Sequence, residues 1–349
     1  MLMDRLDLAI PLVQAPMAGV STPVLAAAVS NAGALGSIAV GATDAAGART
    51  MIAELRARTS RAFAVNLFVH AEPTVDPVSE AEWLRFLAPH FAAFGATPPA
   101  ALRTIYRSFA DDPDMLAVLT EAPPPVVSFH FGLPPARLLD ALRGRSLLVA
   151  TATNLAEARA IEAAGLDAIV AQGIEAGGHR GTFDPDTPDP MLGTLALVRL
   201  LVRHVRLPVI AAGGIMDGAG IAAALALGAA AAQLGTAFVP CPESAADAGY
   251  RAALAGPGAY HTALTAAVSG RPARALANRF TAMDAVAPRP PAYPRAYDAG
   301  KALHAAARAQ GEHGYGAHWA GQGAPLARAL PAAELVETLR RELAATRPA

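Results

Sequence analysis

Asp167-Ala-Ile-Val-Ala171 runs directly into Gln172-Gly-Ile-Glu-Ala-Gly-Gly-His179-Arg-Gly181. The apolar run is too short for a helix and reads as a buried strand. The loop behind it combines an amide, a glycine pair and a histidine. Glycines such as Gly177 and Gly178 let a backbone approach a flat or anionic ligand with no side chain in the way. An amide can hydrogen-bond the edge of a heterocycle, and an imidazole can carry a proton near neutral pH. A Gly-rich connection with an incidental surface histidine would use the same letters, yet a turn that only joins strand to helix needs fewer special residues.

The same unit recurs along the chain. Strand candidates are Pro11 to Gln14, Ala34 to Ala39, Ala62 to Asn66, Val126 to His130, Leu147 to Ala150, Ala168 to Ala171, Val209 to Ala212 and Ala231 to Leu234. Between them lie Ala/Leu-rich helical stretches at Pro23 to Asn31, Asp44 to Arg58, Pro135 to Arg143, Leu155 to Ala164, Met191 to Val205 and Gly218 to Leu227. Asp44 and Asn154 stand at N-cap positions, and Gly165 and Gly228 lie just past helix ends. Eight such strands alternating with helical stretches predict an α/β fold, a (β/α)8 TIM barrel whose ligand site lies at the C-terminal strand ends. Asn66, His130, Gln172, His179, Gly213, Gly214 and Gln233 to Thr236 all fall at those ends.

Two regions exceed a plain barrel. Residues 70–125 read as a helical insertion after the third strand, packing over one side of the mouth. Residues 243–349 read as a C-terminal helical subdomain that covers the catalytic loops. The expected units are therefore a barrel over residues 1–242, insertion included, and a lid over 243–349.

Charge is nearly balanced, with 28 basic and 29 acidic side chains and a formal net charge of −1, so no footprint for nucleic acid or an anionic membrane is present. The single cysteine, Cys241, cannot form an intramolecular disulfide and suits a reducing cytoplasm. The first residues carry acids where an export signal would be basic. Gly218 to Pro242 lacks charge but is mostly alanine, broken by Gly228, Gln233, Gly235 and Pro240, and reads as a buried helix followed by a strand rather than a membrane span.

Leu207-Pro-Val-Ile-Ala-Ala-Gly-Gly214-Ile and Ala232-Gln-Leu-Gly-Thr236 occupy the ends of the last two strands, where barrels cradle a phosphate with backbone N–H groups and a helix N-terminus. Here Gly213, Gly214, Gln233, Leu234, Gly235 and Thr236 would close on it, aided by the dipole of the helix beginning near Asp217. Ala15, Pro16 and Met17, after the first strand, are placed to meet the edge of a planar cofactor, although Met17 taken alone reads as a core filler. Asn66 and Gln172 would supply amide hydrogen bonds to it. No GxGxxG opens a βαβ unit, so a dinucleotide fold is not indicated. Of nine histidines only His130 and His179 stand at strand ends, and no metal site is expected. His179 could accept a proton or orient an anionic substrate; His130 could do either or only line the pocket. His70, His90, His204, His261, His304, His313 and His318 read as surface or packing residues. Tyr297 and Lys301 share a helix face just after Tyr293, where a lysine beside two phenols could clamp a small carboxylate, although read in isolation the pattern is that of an exposed aromatic-basic stripe.

Taken together these residues resemble the nitronate monooxygenases, formerly 2-nitropropane dioxygenases, of the bacterial class I type. The resemblance spans nearly the whole chain and rests on Gln14-Ala-Pro-Met-Ala-Gly19 with Thr22-Pro23, Asn66, Ser128-Phe-His130-Phe-Gly, the loop around His179, Ala212-Gly-Gly214-Ile, Gln233-Leu-Gly-Thr236 and Trp319-Ala-Gly-Gln322. The loops are shared with flavin-dependent NAD(P)H:quinone and enoyl reductases on the same barrel, which stand as the alternative; a non-catalytic flavin-binding barrel is a remoter one. Tyr293, Tyr297 and Lys301 are more selective. The resemblance implies non-covalent FMN, no metal, and oxidation of alkyl nitronates, propionate 3-nitronate foremost, by O2 to a carbonyl product with nitrite or nitrate. It also implies that His130, Tyr293, Tyr297 and Lys301 line the substrate pocket, and that His179 is the base where a neutral nitroalkane is accepted. A homodimer is one open arrangement.

Overall fold

The computed structural model describes residues 2–346; residue 1 and residues 347–349, at the outer ends of the two expected units, lie outside the described residues. Eight parallel strands form one sheet: β1 (Leu12–Gln14), β2 (Gly36–Ala39), β3 (Phe63–Phe68), β4 (Val126–His130), β5 (Leu147–Ala152), β6 (Ala168–Gln172), β8 (Val209–Ala212) and β9 (Ala231–Leu234). A two-residue strand β7 (Gly178–His179) interrupts this series and pairs elsewhere. The ring closes between β1 and β2 through a parallel bridge, Val13 to Leu35, with Gln14 N–H donating to the Leu35 carbonyl at 2.9 Å and Leu35 N–H to the Leu12 carbonyl at 3.0 Å. That bridge accounts for the expected second strand being regular only from Gly36 onward. The chain is thus a (β/α)8 barrel.

The period-2 alternation of strand side chains decides what reaches the mouth. Val13, Ala64, Val126, Val149, Ala168, Val170, Ile210 and Ala231 fill the barrel interior, while Leu12, Val65, Val127, Leu148 and Ile169 pack outward against the helices. Continuing the inward set toward the C-terminal ends brings Asn66, Ser128, His130, Thr151, Gln172, Ala212 and Gln233 to a single rim, and all seven line one pocket. Asn66 belongs to that inward set but is not terminal, because β3 runs on to Phe68.

Helix ends follow the expected chemistry. Asp44 Oδ1 accepts from Gly47 N–H at 2.8 Å and Asn154 Oδ1 from Glu157 N–H at 3.0 Å, and Gly165 and Gly228 adopt φ of 72° and 97°. The helix expected from Met191 starts instead at Thr194, since Met191 sits at φ 48° and Glu175 caps the Thr194 N–H.

Two segments expected outside the barrel belong to its helical ring. The helix Pro113–Glu121 packs between the helices Ala45–Arg58 and Ala136–Leu142. The last helix, Ala332–Ala345, packs on Pro23–Asn31 and Gly218–Ala226, burying Leu335, Val336, Leu339 and Leu343 in the barrel core. Both are amphipathic and find their apolar partner on the ring rather than over the mouth. We propose that the second unit comprises residues 243–331 only. What covers the mouth is a separate cluster, in which Trp83, Leu87 and Phe91 of the insertion helix Pro77–Ala92 meet Ala299, Leu303 and Phe280. Arg295 is ion-paired with Glu80, and Arg103 with Asp298 at 2.9 Å, stitching the insertion to the helix Arg295–Arg308. Strands β10 (Thr262–Thr265) and β11 (Ala273–Leu276) complete the cap, β11 pairing antiparallel with β7.

Candidate active site

The mouth encloses a cavity of about 370 Å3, within the size range of small-molecule sites. Barrel side chains and cap side chains meet across it. Ala15, Pro16, Met17, Gly177, Gly178, Gly213, Gly214, Gly235 and Thr236 line it together with the inward-facing set, and the cap adds Tyr106, Tyr293, Tyr297, Lys301 and Trp319. Of the residues singled out from sequence, only Leu234 is absent from the lining; it is buried in the barrel core, one register off the inward set.

His179 is held from every side. Its β7 segment pairs with Ala273–Arg274, and its carbonyl accepts from Gln172 Nε2 at 3.0 Å and His130 Nε2 at 3.2 Å. Its ring Nε2 lies 2.9 Å from Ser269 Oγ. Around it stand Trp319, Tyr293, Phe131 and Tyr297, at ring separations of 5.0, 5.4, 5.6 and 6.1 Å. Burial, reinforced by His130 and Arg271, depresses its pKa to about 3, so the imidazole is neutral at physiological pH.

His130 is committed differently from what its position alone suggests. Its Nε2 faces a carbonyl, which can only accept, so Nε2 carries the proton and Nδ1 accepts from Thr151 Oγ1 at 3.1 Å. Both nitrogens are spent within the protein, and burial lowers its pKa to about 4. His130 therefore offers a ligand its ring and not a titrating atom. Gln172 is similarly occupied, its oxygen accepting from Gly181 N–H at 2.8 Å, which leaves one amide hydrogen for a heterocycle. Asn66 donates to Ser128 Oγ at 2.9 Å, so what it can offer a ring is its oxygen. Gln233 makes no side-chain hydrogen bond to any described residue, and its whole amide is available. The charged residues of the loop pin it in place. Arg180, almost fully buried, pairs with Asp189 at 2.7 Å, and Glu175 takes the N–H and hydroxyl of Thr194 at 2.9 Å.

The expected anion-binding helix is corrected by the structure. The N-terminus of Gly218–Ala226 is already filled by carboxylates, Gly218 N–H donating to Glu342 at 2.9 Å and Gly220 N–H to Asp217 at 2.8 Å. What remains for a phosphate is the glycine cradle itself. Gly213 and Gly214 adopt φ of 122° and 71°, and their N–H groups, like that of Gly235, reach no acceptor among the described residues. Thr236 Oγ1 accepts from Gly321 N–H at 2.9 Å and keeps its own hydrogen to donate. A Cβ on Gly177 would lie 2.6 Å from the Gly321 nitrogen, so the loop and the Trp319–Gly321 backbone fit only without a side chain there.

On the cap side Lys301 Nζ lies 5.0 Å from the Tyr106 ring and 5.4 Å from that of Tyr297. This is cation–π geometry, and it leaves the ammonium hydrogens free for an anion. Burial raises the pKa of all three tyrosines, 106, 293 and 297, so they act as neutral phenols. Several of these residues escaped sequence reasoning. Tyr106 lies in an aperiodic stretch of the insertion. Phe131 packs against His130, Tyr293 and the Arg271 guanidinium and holds φ 78°, a conformation a bulky residue seldom adopts without functional constraint. Its one visible signal was the Phe-Gly step after His130. Among the histidines read as peripheral, His70 and His318 are buried, His70 in edge contact with Tyr293. No group of three or more metal-type side chains among the described residues could hold an ion.

Comparison with known proteins agrees with this geometry. The sequence model of the nitronate monooxygenase family matches residues 1–342. The chain is 64% identical over 336 residues to a nitronate monooxygenase of Paraburkholderia phytofirmans, covering 95% of this chain and 92% of that one. It is 58% identical over 339 residues to a nitronate monooxygenase of Pseudomonas aeruginosa, covering 95% and 96%. Among solved structures, nitroalkane oxidase from Streptomyces ansochromogenes superposes with a TM-score of 0.90 at 44% identity, covering 99% of this chain and 98% of that one. FabK from Thermotoga maritima gives 0.73 at 31% identity, covering 99% and 96%.

Proposed function

The chain belongs to the nitronate monooxygenase family, and from that premise we propose that its pocket binds FMN and a carboxylated alkyl nitronate, propionate 3-nitronate foremost, side by side. The chain is a flavin-dependent oxidoreductase that oxidises nitronates. The observation that carries the finer reading is the juxtaposition of two unlike halves in one cavity: a glycine cradle with free N–H groups, and an ammonium framed by phenols with the neutral His179 between them.

The donor set fits a flavin mononucleotide. Gly213, Gly214, Gly235 and Thr236 would take the phosphate. Gln233, Asn66 and the remaining Gln172 hydrogen would meet the polar edge of the ring, with Ala15, Pro16 and Met17 along its flank. When bound, FMN supplies the electron transfer from nitronate to O2 that no side chain here can perform. The protein's part is binding and orientation. Lys301 holds the carboxylate, Tyr106, Tyr293 and Tyr297 exclude water and offer hydroxyl donors, and His130 fixes the peptide of His179. His179 faces the reacting carbon–nitrogen unit as a neutral acceptor and takes the proton where a nitroalkane is the substrate.

No described helix is long and apolar enough to cross a membrane; we propose a cytoplasmic site of action, which the lone buried thiol of Cys241 suits. The purified protein is expected to be yellow and to release FMN on denaturation, identified by chromatography, and to consume O2 with propionate 3-nitronate. A colourless protein that FMN does not reconstitute would remove the cofactor assignment.

A further inference from the structure

We propose that Ser269 is the positioning residue of this site: it accepts a hydrogen bond from Nε2–H of His179 and so fixes which ring nitrogen carries the proton, leaving the Nδ1 lone pair as the one acceptor the two histidines present to the pocket. Ser269 is fully buried. Its Oγ lies 2.9 Å from His179 Nε2, 3.2 Å from the Arg271 carbonyl and 3.4 Å from the Arg271 N–H. The hydroxyl has one hydrogen and two places to send it.

The Arg271 carbonyl decides between them. It is buried, it can only accept, and no other donor among the described residues reaches it. A buried carbonyl left without a donor is costly, whereas an imidazole can supply its own hydrogen at either nitrogen. With Ser269 O–H directed to the Arg271 carbonyl, the short contact to His179 must be Nε2–H donating to Oγ, and the hydroxyl, the carbonyl and His179 Nε2 are all satisfied. The reverse orientation satisfies the imidazole and orphans the carbonyl.

The consequence lies in the pocket. Nδ1 of His179 makes no hydrogen bond to the protein and is not among the buried unpartnered atoms, so it opens onto the cavity that the ring lines. His130 cannot substitute, because its Nε2–H is bound to the His179 carbonyl and its Nδ1 to Thr151. The Ser269-Gly270-Arg271 turn therefore sets the chemistry of the loop opposite. Gly270, at φ 85°, allows the turn to fold back on the Pro291 carbonyl, which a Cβ would approach to 2.1 Å.

The catalytic consequence rests on the reading of this rim as the nitronate site; the tautomer does not. The test is nitrogen NMR of protein labelled with 15N in its histidine rings, the His179 signals being assigned by their loss in His179→Asn. The expected wild-type pattern is protonated Nε2 with unprotonated Nδ1. In Ser269→Ala it should give way to a mixture or to Nδ1–H, while His130 keeps its Nε2–H signature and reports that the fold is intact. A wild type with Nδ1 protonated, or a His179 signature unmoved by Ser269→Ala, overturns the proposal, and the wild-type result stands even if the variant does not fold. In turnover of a neutral nitroalkane Ser269→Ala should lower kcat by about tenfold, the scale of one hydrogen bond, with little change in KM. A wild type that shows the expected tautomer but does not turn over a nitronate would strike the functional reading alone.

Discussion

On the barrel side of the pocket, polar groups are largely tied to one another: Asn66 to Ser128, His130 to Thr151 and to the His179 peptide, Gln172 to Gly181. On the cap side, Tyr106, Tyr293, Tyr297 and Trp319 meet edge to face or tilted, and Lys301 stands over two of the rings. The first arrangement is rigid and presents a few fixed donors and acceptors, which suits a permanent heterocycle and its phosphate. The second is apolar with a single cation, which suits a small anion that must enter and leave. On the proposed reading the first side holds the cofactor and the second the substrate.

That separation can be broken experimentally, and the largest effect is expected on the barrel side. Gly177→Val would drive a side chain into the Ala320–Gly321 backbone; flavin affinity should fall by about 100-fold or more, read as loss of the yellow colour on dialysis. If the variant keeps its flavin, the Gly177 loop and the Ala320–Gly321 backbone do not shape the cofactor side. His179→Asn sits where the two sides meet. With a neutral nitroalkane as substrate it should retain the flavin and lose roughly 100-fold in kcat, and a loss of flavin instead would make His179 part of the cofactor side. On the cap side, Lys301→Met should raise KM for propionate 3-nitronate about tenfold while leaving an uncharged alkyl nitronate nearly unaffected. Equal effects on both substrates would remove the carboxylate role.

The smallest effect concerns pH. His130 and His179 are shifted from 6.5 to about 4 and about 3 by burial. Below their ordinary value the unfolded chain takes up protons that the folded protein does not, so stability is full above pH 6.5 and declines as pH falls toward 4 and 3. Thermal melts across that window should show the decline, with a shallower slope in His179→Asn. An unchanged slope would mean that His179 is not held neutral by burial.

The barrel side was largely legible in the sequence and the cap side only by resemblance, for physical reasons. Strand runs such as Ala168–Gln172 declare themselves by apolarity and length, and the inward register carries Gln172 and Gln233 to the rim automatically. Nothing local marks Tyr106, whose loop has no periodicity, or Ser269, whose partner is 90 residues away in sequence. Glu175 and Arg180 look like ligand groups but serve as fasteners, because Thr194 and Asp189 were close only once the loop had folded back. The helix at Gly218 misled for the same reason: Glu342, which occupies its N-terminus, comes from the far end of the chain.

The central claim, a flavin on the barrel side reached by a nitronate from the cap side, is tested most directly by mixing the protein with propionate 3-nitronate in the absence of oxygen and recording the flavin spectrum, with NADH as the comparison. Rapid bleaching by the nitronate and slow or no bleaching by NADH is the expected result. Rapid bleaching by NADH with the flavin left oxidised by the nitronate would contradict the account and assign the same barrel to a reductase.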